Sequence, residues 1–227
     1  MTQIEYKIHI DHVIERIEAA RIQVDEHHIV KIVAVSKYST PEAIEALYNI
    51  GQRAFGENKV QDLKLKIETL DALPLEWHFI GNLQKNKINQ LLSLDPFLFQ
   101  ALDSIELAHA LQQRLEVRDN MQLNALMQIN SANETSKSGA APERAKDLFD
   151  QIREECPNIN LKGVMSIGAH TDDTQVIQNS FDTTRKIYDS LNDVSICSMG
   201  MSGDFEQAIA SGSNMVRLGT ILFPKDS

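Results

Sequence analysis

The chain has 227 residues, with 22 Lys and Arg against 32 Asp and Glu, a formal charge of −10; hydrophobic residues make up 42 % and charged residues 24 %. That is the composition of a folded globular chain with ample material for a core, and the length admits one large domain or two small ones. The acidic balance argues against nonspecific nucleic-acid binding, no apolar stretch approaches the ~18 residues of a membrane span, and two cysteines, Cys156 and Cys197, make neither a disulfide framework nor a zinc site, so a reducing cytoplasm is the expected compartment.

The start of the chain, MTQIEYKIHIDHVIERIEAARI, predicts an amphipathic helix rather than a signal peptide. It covers about residues 3–26, with an apolar stripe of Ile10, Ile14 and Ile17 that ends at Arg21. A Val- and Ile-rich run over 29–37 predicts the first strand. Thr40, Pro41 and Glu42 then open a helix as cap, first-turn proline and acidic first-turn residue. The alternation continues: strand 53–56, helix 60–70, strand 77–81, helix 85–92 and strand 97–102. Asp103-Ser104-Ile105-Glu106 is expected to form a capping box before the next helix. Strand 123–130 precedes a polar stretch over 131–140, and Pro142-Glu143 opens a helix to about 155. Strand 161–167, helix 173–191, strand 194–199, helix 204–210 and strand 214–219 complete the series.

Eight strands, each separated from the next by a helix, imply a parallel sheet. The count favours a single (β/α)8 TIM-type barrel over 29–223, preceded by an extra N-terminal helix within 1–28. A doubly wound open sheet is the alternative. In such a barrel the site lies at the C-terminal strand ends, where this chain places Lys37, Asn58, Gly81, Asn82, Asn130, Gly168, 198–202 and 217–220.

Strand alternation puts Val33, Val35 and Lys37 on one face, so Lys37 is expected to rise from an apolar floor, lose water and become a nucleophilic amine. In the last strand Met215, Arg217 and Gly219 would point inward. Gly219 and Thr220 would then offer free N–H groups, with Ser198 and Ser202 on the facing loop, as a cradle for one phosphate. An Arg217 paired with a carboxylate, with the glycines serving only turns, is the competing account. By burial tendency His78 is more often a hydrogen-bonded core residue, and Met165 and Met201 more often core filler, than ligand contacts. The stretch 133–139 is most simply a solvated loop.

Six segments in order, AVSKYSTPEAI, RAFGENKVQD, WHFIGNLQKNK, QINSANETSKSG, LKGVMSI and SMGMSGDFEQAIASGSNMVRLGTILF, resemble the pyridoxal-phosphate homeostasis proteins (YggS/PROSC type) over nearly the whole chain. The resemblance implies a fold type III barrel similar to the N-terminal domain of alanine racemases, with pyridoxal 5′-phosphate (PLP) held as an aldimine. Lys37 falls at the aldimine lysine and Arg217 at the residue facing the pyridine nitrogen. Ser198, Ser202, Gly219 and Thr220 fall among the phosphate ligands, and Asn58, His78 and Met165 at pocket positions. Asn82 stands where a proline is common, and Pro224 where a glycine often follows the last strand.

An arginine beside the pyridine nitrogen disfavours its protonation and weakens the ring as an electron sink. Racemases of this fold type add a tyrosine base from a further domain, for which the sequence has no counterpart; Tyr38 is expected to point elsewhere. The resemblance therefore implies PLP homeostasis with no or minimal catalysis, transient delivery to PLP-accepting apoproteins, no metal and a monomer. A small PLP-dependent racemase or lyase is the alternative, and a cofactor-free Schiff-base aldolase a third.

Overall fold

The computed structural model describes residues 1–119, 121–132 and 138–224. Among them eight parallel strands close into one barrel in the order β1 to β8: β1 Lys31–Val35, β2 Ala54–Glu57, β3 Glu76–Phe79, β4 Leu98–Leu102, β5 Leu123–Ile129, β6 Ile159–Ser166, β7 Ile196–Ser198 and β8 Met215–Leu218. β8 returns to β1 with Val33 opposite Arg217. The helices α2 Pro41–Asn49, α3 Val60–Thr69, α4 Ile88–Ser93, α5 Ile105–Glu116, α6 Ala145–Glu155, α7 Thr174–Asp189 and α8 Phe205–Ala210 alternate with the strands. The expected (β/α)8 barrel is therefore the fold, and the open sheet is not. No helix among the described residues is long and apolar enough to cross a membrane.

The leading helix, α1 Gln3–Ile22, has a role the strand count did not reveal. Among the described residues no helix follows β8, and α1 packs on α8 and α2, so it fills that place in the outer ring. Its buried stripe is Tyr6, Ile10, Val13 and Ile17, the i, i+4, i+7, i+11 series of a helix face. Ile14, expected on the stripe, is exposed. Thr2 and Glu5 form a reciprocal capping box at its start, Arg16 pairs with Glu206, and the helix stops at Ile22, short of the expected 26.

Several local expectations change. β1 is shorter than 29–37, and Ile29 is exposed. The box expected at Asp103 to Glu106 does not form. The N-cap is Ser104, whose hydroxyl accepts from Leu107 N–H, because the residue three positions after the cap is a leucine with nothing to return. β6 begins earlier, at Ile159, and its register against β5 shifts at Leu161 and Gly163. Gly163 sits at φ +148°, where a Cβ would lie 1.8 Å from the Ile196 carbonyl oxygen, so this bulge requires glycine. Most of the polar stretch 133–139 lies outside the described residues.

Candidate functional site

At the C-terminal ends of the strands lies a cavity of about 750 Å³. Lys37, Asn58, Met165, Ser202, Arg217, Gly219 and Thr220 all line it, together with Lys59, Ile80, Gln128, Ile167 and Met201. His78 and Ser198 do not line it; both are fully buried beneath the floor. The walls approach closely at one point. Gly81 passes so near Asn58 that a Cβ there would meet the Asn58 carbonyl oxygen at 2.1 Å, so glycine is required for the second and third strand ends to meet. Asn82, one departure from the family pattern, donates to the Ser138 hydroxyl at 3.2 Å.

Lys37 reaches the cavity from beyond the end of β1. The ladder hands over at Ser36, whose N–H donates to the Gly56 carbonyl at 3.0 Å, and the chain then turns. Lys37 is consequently exposed rather than desolvated as expected. Its amine rests 5.2 Å from the Tyr38 ring centroid. It also lines an adjoining cavity of about 520 Å³ with Tyr6, Tyr38, Thr40, Phe223 and Pro224. The amine thus stands on the rim between two hollows, sharing both with Gly219 and Thr220.

Arg217 forms the floor. It is 4 % exposed and donates to the Ser166 carbonyl at 2.8 Å, the Ser198 carbonyl at 2.9 Å and the Ser198 hydroxyl at 2.6 Å. Its hydrogen-bond partners are carbonyls and a hydroxyl, so the carboxylate-paired account is not the geometry found. Burial lowers its pKa to about 10, offset in part by the nearby Asp204 carboxylate, which leaves it cationic at neutral pH. The polar contacts continue down the barrel axis. The Ser198 hydroxyl donates to Gln100 Oε1 at 2.8 Å, and Gln100 Nε2 meets His78 Nδ1 at 2.8 Å and Met215 Sδ at 3.4 Å. His78 is therefore the hydrogen-bonded core residue that its burial tendency predicted. Its Nε2 has no hydrogen-bond partner and lies 4.0 Å from Glu76, which pairs with Lys31.

Across the mouth, the Ser202 hydroxyl accepts from Gly219 N–H at 3.2 Å and Ile221 N–H at 3.4 Å. The Gly219 N–H is thus engaged rather than free as expected, although the Ser202 hydroxyl proton remains available to a ligand. The Thr220 and Gly203 N–H groups make no hydrogen bond among the described residues, and a Cβ at Gly203 would meet no protein atom within 4 Å. Met201, expected as core filler, is 40 % exposed at this rim.

Sequence reasoning missed Gln100 and Gln128. Gln100 is the one polar residue of an otherwise apolar β4, and Gln128 shares β5 with one other polar residue, Asn124; that contrast was the available signal. It also missed the buried pair Glu57 and Lys66 behind the wall at Lys37, because a lysine and a glutamate nine residues apart on different elements carry no local signature.

The chain matches the family model "Alanine racemase, N-terminal domain" over residues 8–225. A pyridoxal phosphate homeostasis protein of Helicobacter pylori is 56 % identical over 220 residues, covering 97 % of this chain and 99 % of that protein. A crystal structure of an unknown protein from Bifidobacterium adolescentis is 32 % identical with a TM-score of 0.91, covering 97 % of this chain and 95 % of that one. A structure of PipY from Synechococcus elongatus with PLP bound is 28 % identical with a TM-score of 0.78, covering 91 % of this chain and 99 % of that one. A match along nearly the whole chain, on a barrel whose mouth gathers an amine, a buried guanidinium and main-chain donors, makes this chain a member of the pyridoxal phosphate homeostasis protein family.

Proposed function

We propose that this chain is a PLP-binding protein of intracellular PLP homeostasis, a single-domain barrel that holds the cofactor covalently through Lys37 with no or minimal catalysis. The residues present fit the group. Lys37 supplies the amine; Ser202, Thr220 and Gly203 offer a hydroxyl and N–H groups for a phosphate; and Arg217 offers a fixed cation for the ring nitrogen. The observation that carries the reading is that all of them line one cavity of about 750 Å³. When bound, PLP supplies an aldehyde that condenses with a primary amine, which masks it from other amines.

Asn58 and Met165 line the same wall and would contact the ring. His78 and Ser198 act from beneath, through Arg217. The relative of known structure with PLP bound and the names of the curated relatives support the ligand and the role. Two buried free cysteines suit a reducing cytoplasm, where we take the protein to act as a monomer that hands its ligand transiently to apoproteins. Borohydride reduction of the PLP-loaded protein, followed by peptide mass mapping, tests the reading. The expected result is a phosphopyridoxyl adduct on Lys37 and loss of the visible absorption band in Lys37→Ala. An adduct confined to other lysines overturns the assignment.

A further inference from the structure

Behind the wall that carries Lys37 lies a buried ion pair that the site described above does not use. Glu57, at the end of β2, is fully buried, and Lys66, on the inner face of α3, is 7 % exposed. Lys66 Nζ donates to Glu57 Oε1 at 2.6 Å and to the Ser36 carbonyl at 2.6 Å, and the Ser36 hydroxyl donates to the same Glu57 oxygen at 2.6 Å. The other oxygen, Glu57 Oε2, has no hydrogen-bond partner. Burying two charges is expensive, and an apolar pair of similar volume often serves stability as well or better. The placement of this pair supplies another reason for it. Ser36 immediately precedes Lys37 and Glu57 immediately precedes Asn58, and both Lys37 and Asn58 line the cavity. β1 ends at Val35, so the strand ladder no longer controls the chain where Lys37 departs. The buried Ser36 carbonyl accepts instead from Ser39 N–H at 2.8 Å, within the turn, and from Lys66 Nζ at 2.6 Å, from outside the barrel.

We propose that the Glu57–Lys66 pair positions Lys37: it grips the preceding peptide from outside the barrel and fixes the direction in which the amine enters the cavity. This rests on the reading that the cavity takes PLP with Lys37 as its amine. A reacting group held out of line loses rate far more than affinity, with about a hundredfold loss for a misplacement near 1 Å. Lys66 and Glu57 touch no ligand, so the effect is confined to the joining of the Lys37 nitrogen to the aldehyde carbon, with release of one water.

The test replaces both charges, Glu57→Met with Lys66→Met, in the full chain. It compares two quantities in folded protein: affinity for pyridoxine 5′-phosphate, which lacks the aldehyde, and the stopped-flow rate at which PLP gives the borohydride-trappable Lys37 adduct. Affinity for the aldehyde-free ligand is expected within about twofold of wild type, with the condensation rate lowered roughly ten- to a hundredfold. A wild-type rate in the folded double variant overturns the proposal, as does an equal loss of both quantities. If the double variant does not fold, Glu57→Gln with Lys66→Met is measured in its place, which keeps an acceptor for the Ser36 hydroxyl but removes the Lys66 donor to the Ser36 carbonyl; an unchanged rate there has the same consequence. Failure of the wild-type chain to take up PLP at all would instead overturn the functional reading beneath it.

Discussion

A guanidinium inside a barrel must replace its water with fixed acceptors, and Arg217 does so with two carbonyls and a hydroxyl. None of these carries a charge, so the cation stays available to a ligand above it. Charged hydrogen bonds contribute about 1.5–3 kcal/mol each. Arg217→Ala is therefore expected to weaken PLP roughly ten- to a hundredfold and to shift the visible spectrum, measured by equilibrium dialysis and absorption; unchanged affinity and spectrum would remove Arg217 from the site. At the other end of the same polar line, His78 and then the Lys31 ammonium hold the Glu76 carboxyl down, from an ordinary 4.5 to about 2. A carboxyl depressed in the folded state contributes stability that is present above its unfolded pKa and lost as pH falls through the folded one. The contribution is thus whole above pH 4.5 and disappears toward pH 2. Glu76→Gln is expected to flatten the stability curve across that window in urea titrations at stepped pH. A curve parallel to wild type there would show that Glu76 is not the group responsible.

At the scale of elements, the instructive case is α1. A helix with isoleucines at 4, 8, 10, 14, 17 and 22 offers more than one apolar stripe, and the sequence alone does not say which one packs. The packed stripe is the one that meets α8 and α2, through Tyr6, Ile10, Val13 and Ile17. Ile17→Ala, at a site 4 % exposed, is expected to cost about 2–5 kcal/mol. Ile14→Ala, at a site 42 % exposed, should stay within about 0.5 kcal/mol. Equal losses for the two in urea unfolding would mean that α1 is rotated from the position described here. The Asp103 box shows the same limit on a shorter scale. Cap chemistry in the sequence marked the start of α5 correctly to within a residue, while the identity of the cap depended on where the backbone left β4.

For the whole molecule, closure of eight strands into one ring converts scattered residues into a single mouth. Among the described residues lining the larger cavity, the titratable ones are Lys37, Lys59 and Arg217. Tyr38 lines only the smaller hollow and is 79 % exposed. Among these residues no carboxylate, histidine or tyrosine lines the larger cavity with Lys37; its other ionisable side chains are a second lysine and an arginine. Exchange of amino-acid α-protons into deuterated water by the PLP-loaded protein is expected to be no faster than with free PLP, followed by NMR. Rapid exchange would favour the racemase or lyase reading instead.

What the sequence determined by itself was local and periodic: the alternation of strands and helices, the cap at Thr40, the start of α5 to within a residue, the inward register of Arg217, and the ordered segments that mark the family. These are legible because propensity and side-chain period act over a few neighbouring residues. Only the tertiary structure decided what depends on contacts between distant parts of the chain. It left Lys37 on an exposed rim between two cavities, engaged the Gly219 N–H with Ser202, and sank His78 and Ser198 below the floor through Gln100. It also set Glu57 against Lys66 behind the wall. Each of these outcomes follows from where the closed ring brings separate strand ends together, and strand ends far apart in sequence meet only once the ring has closed.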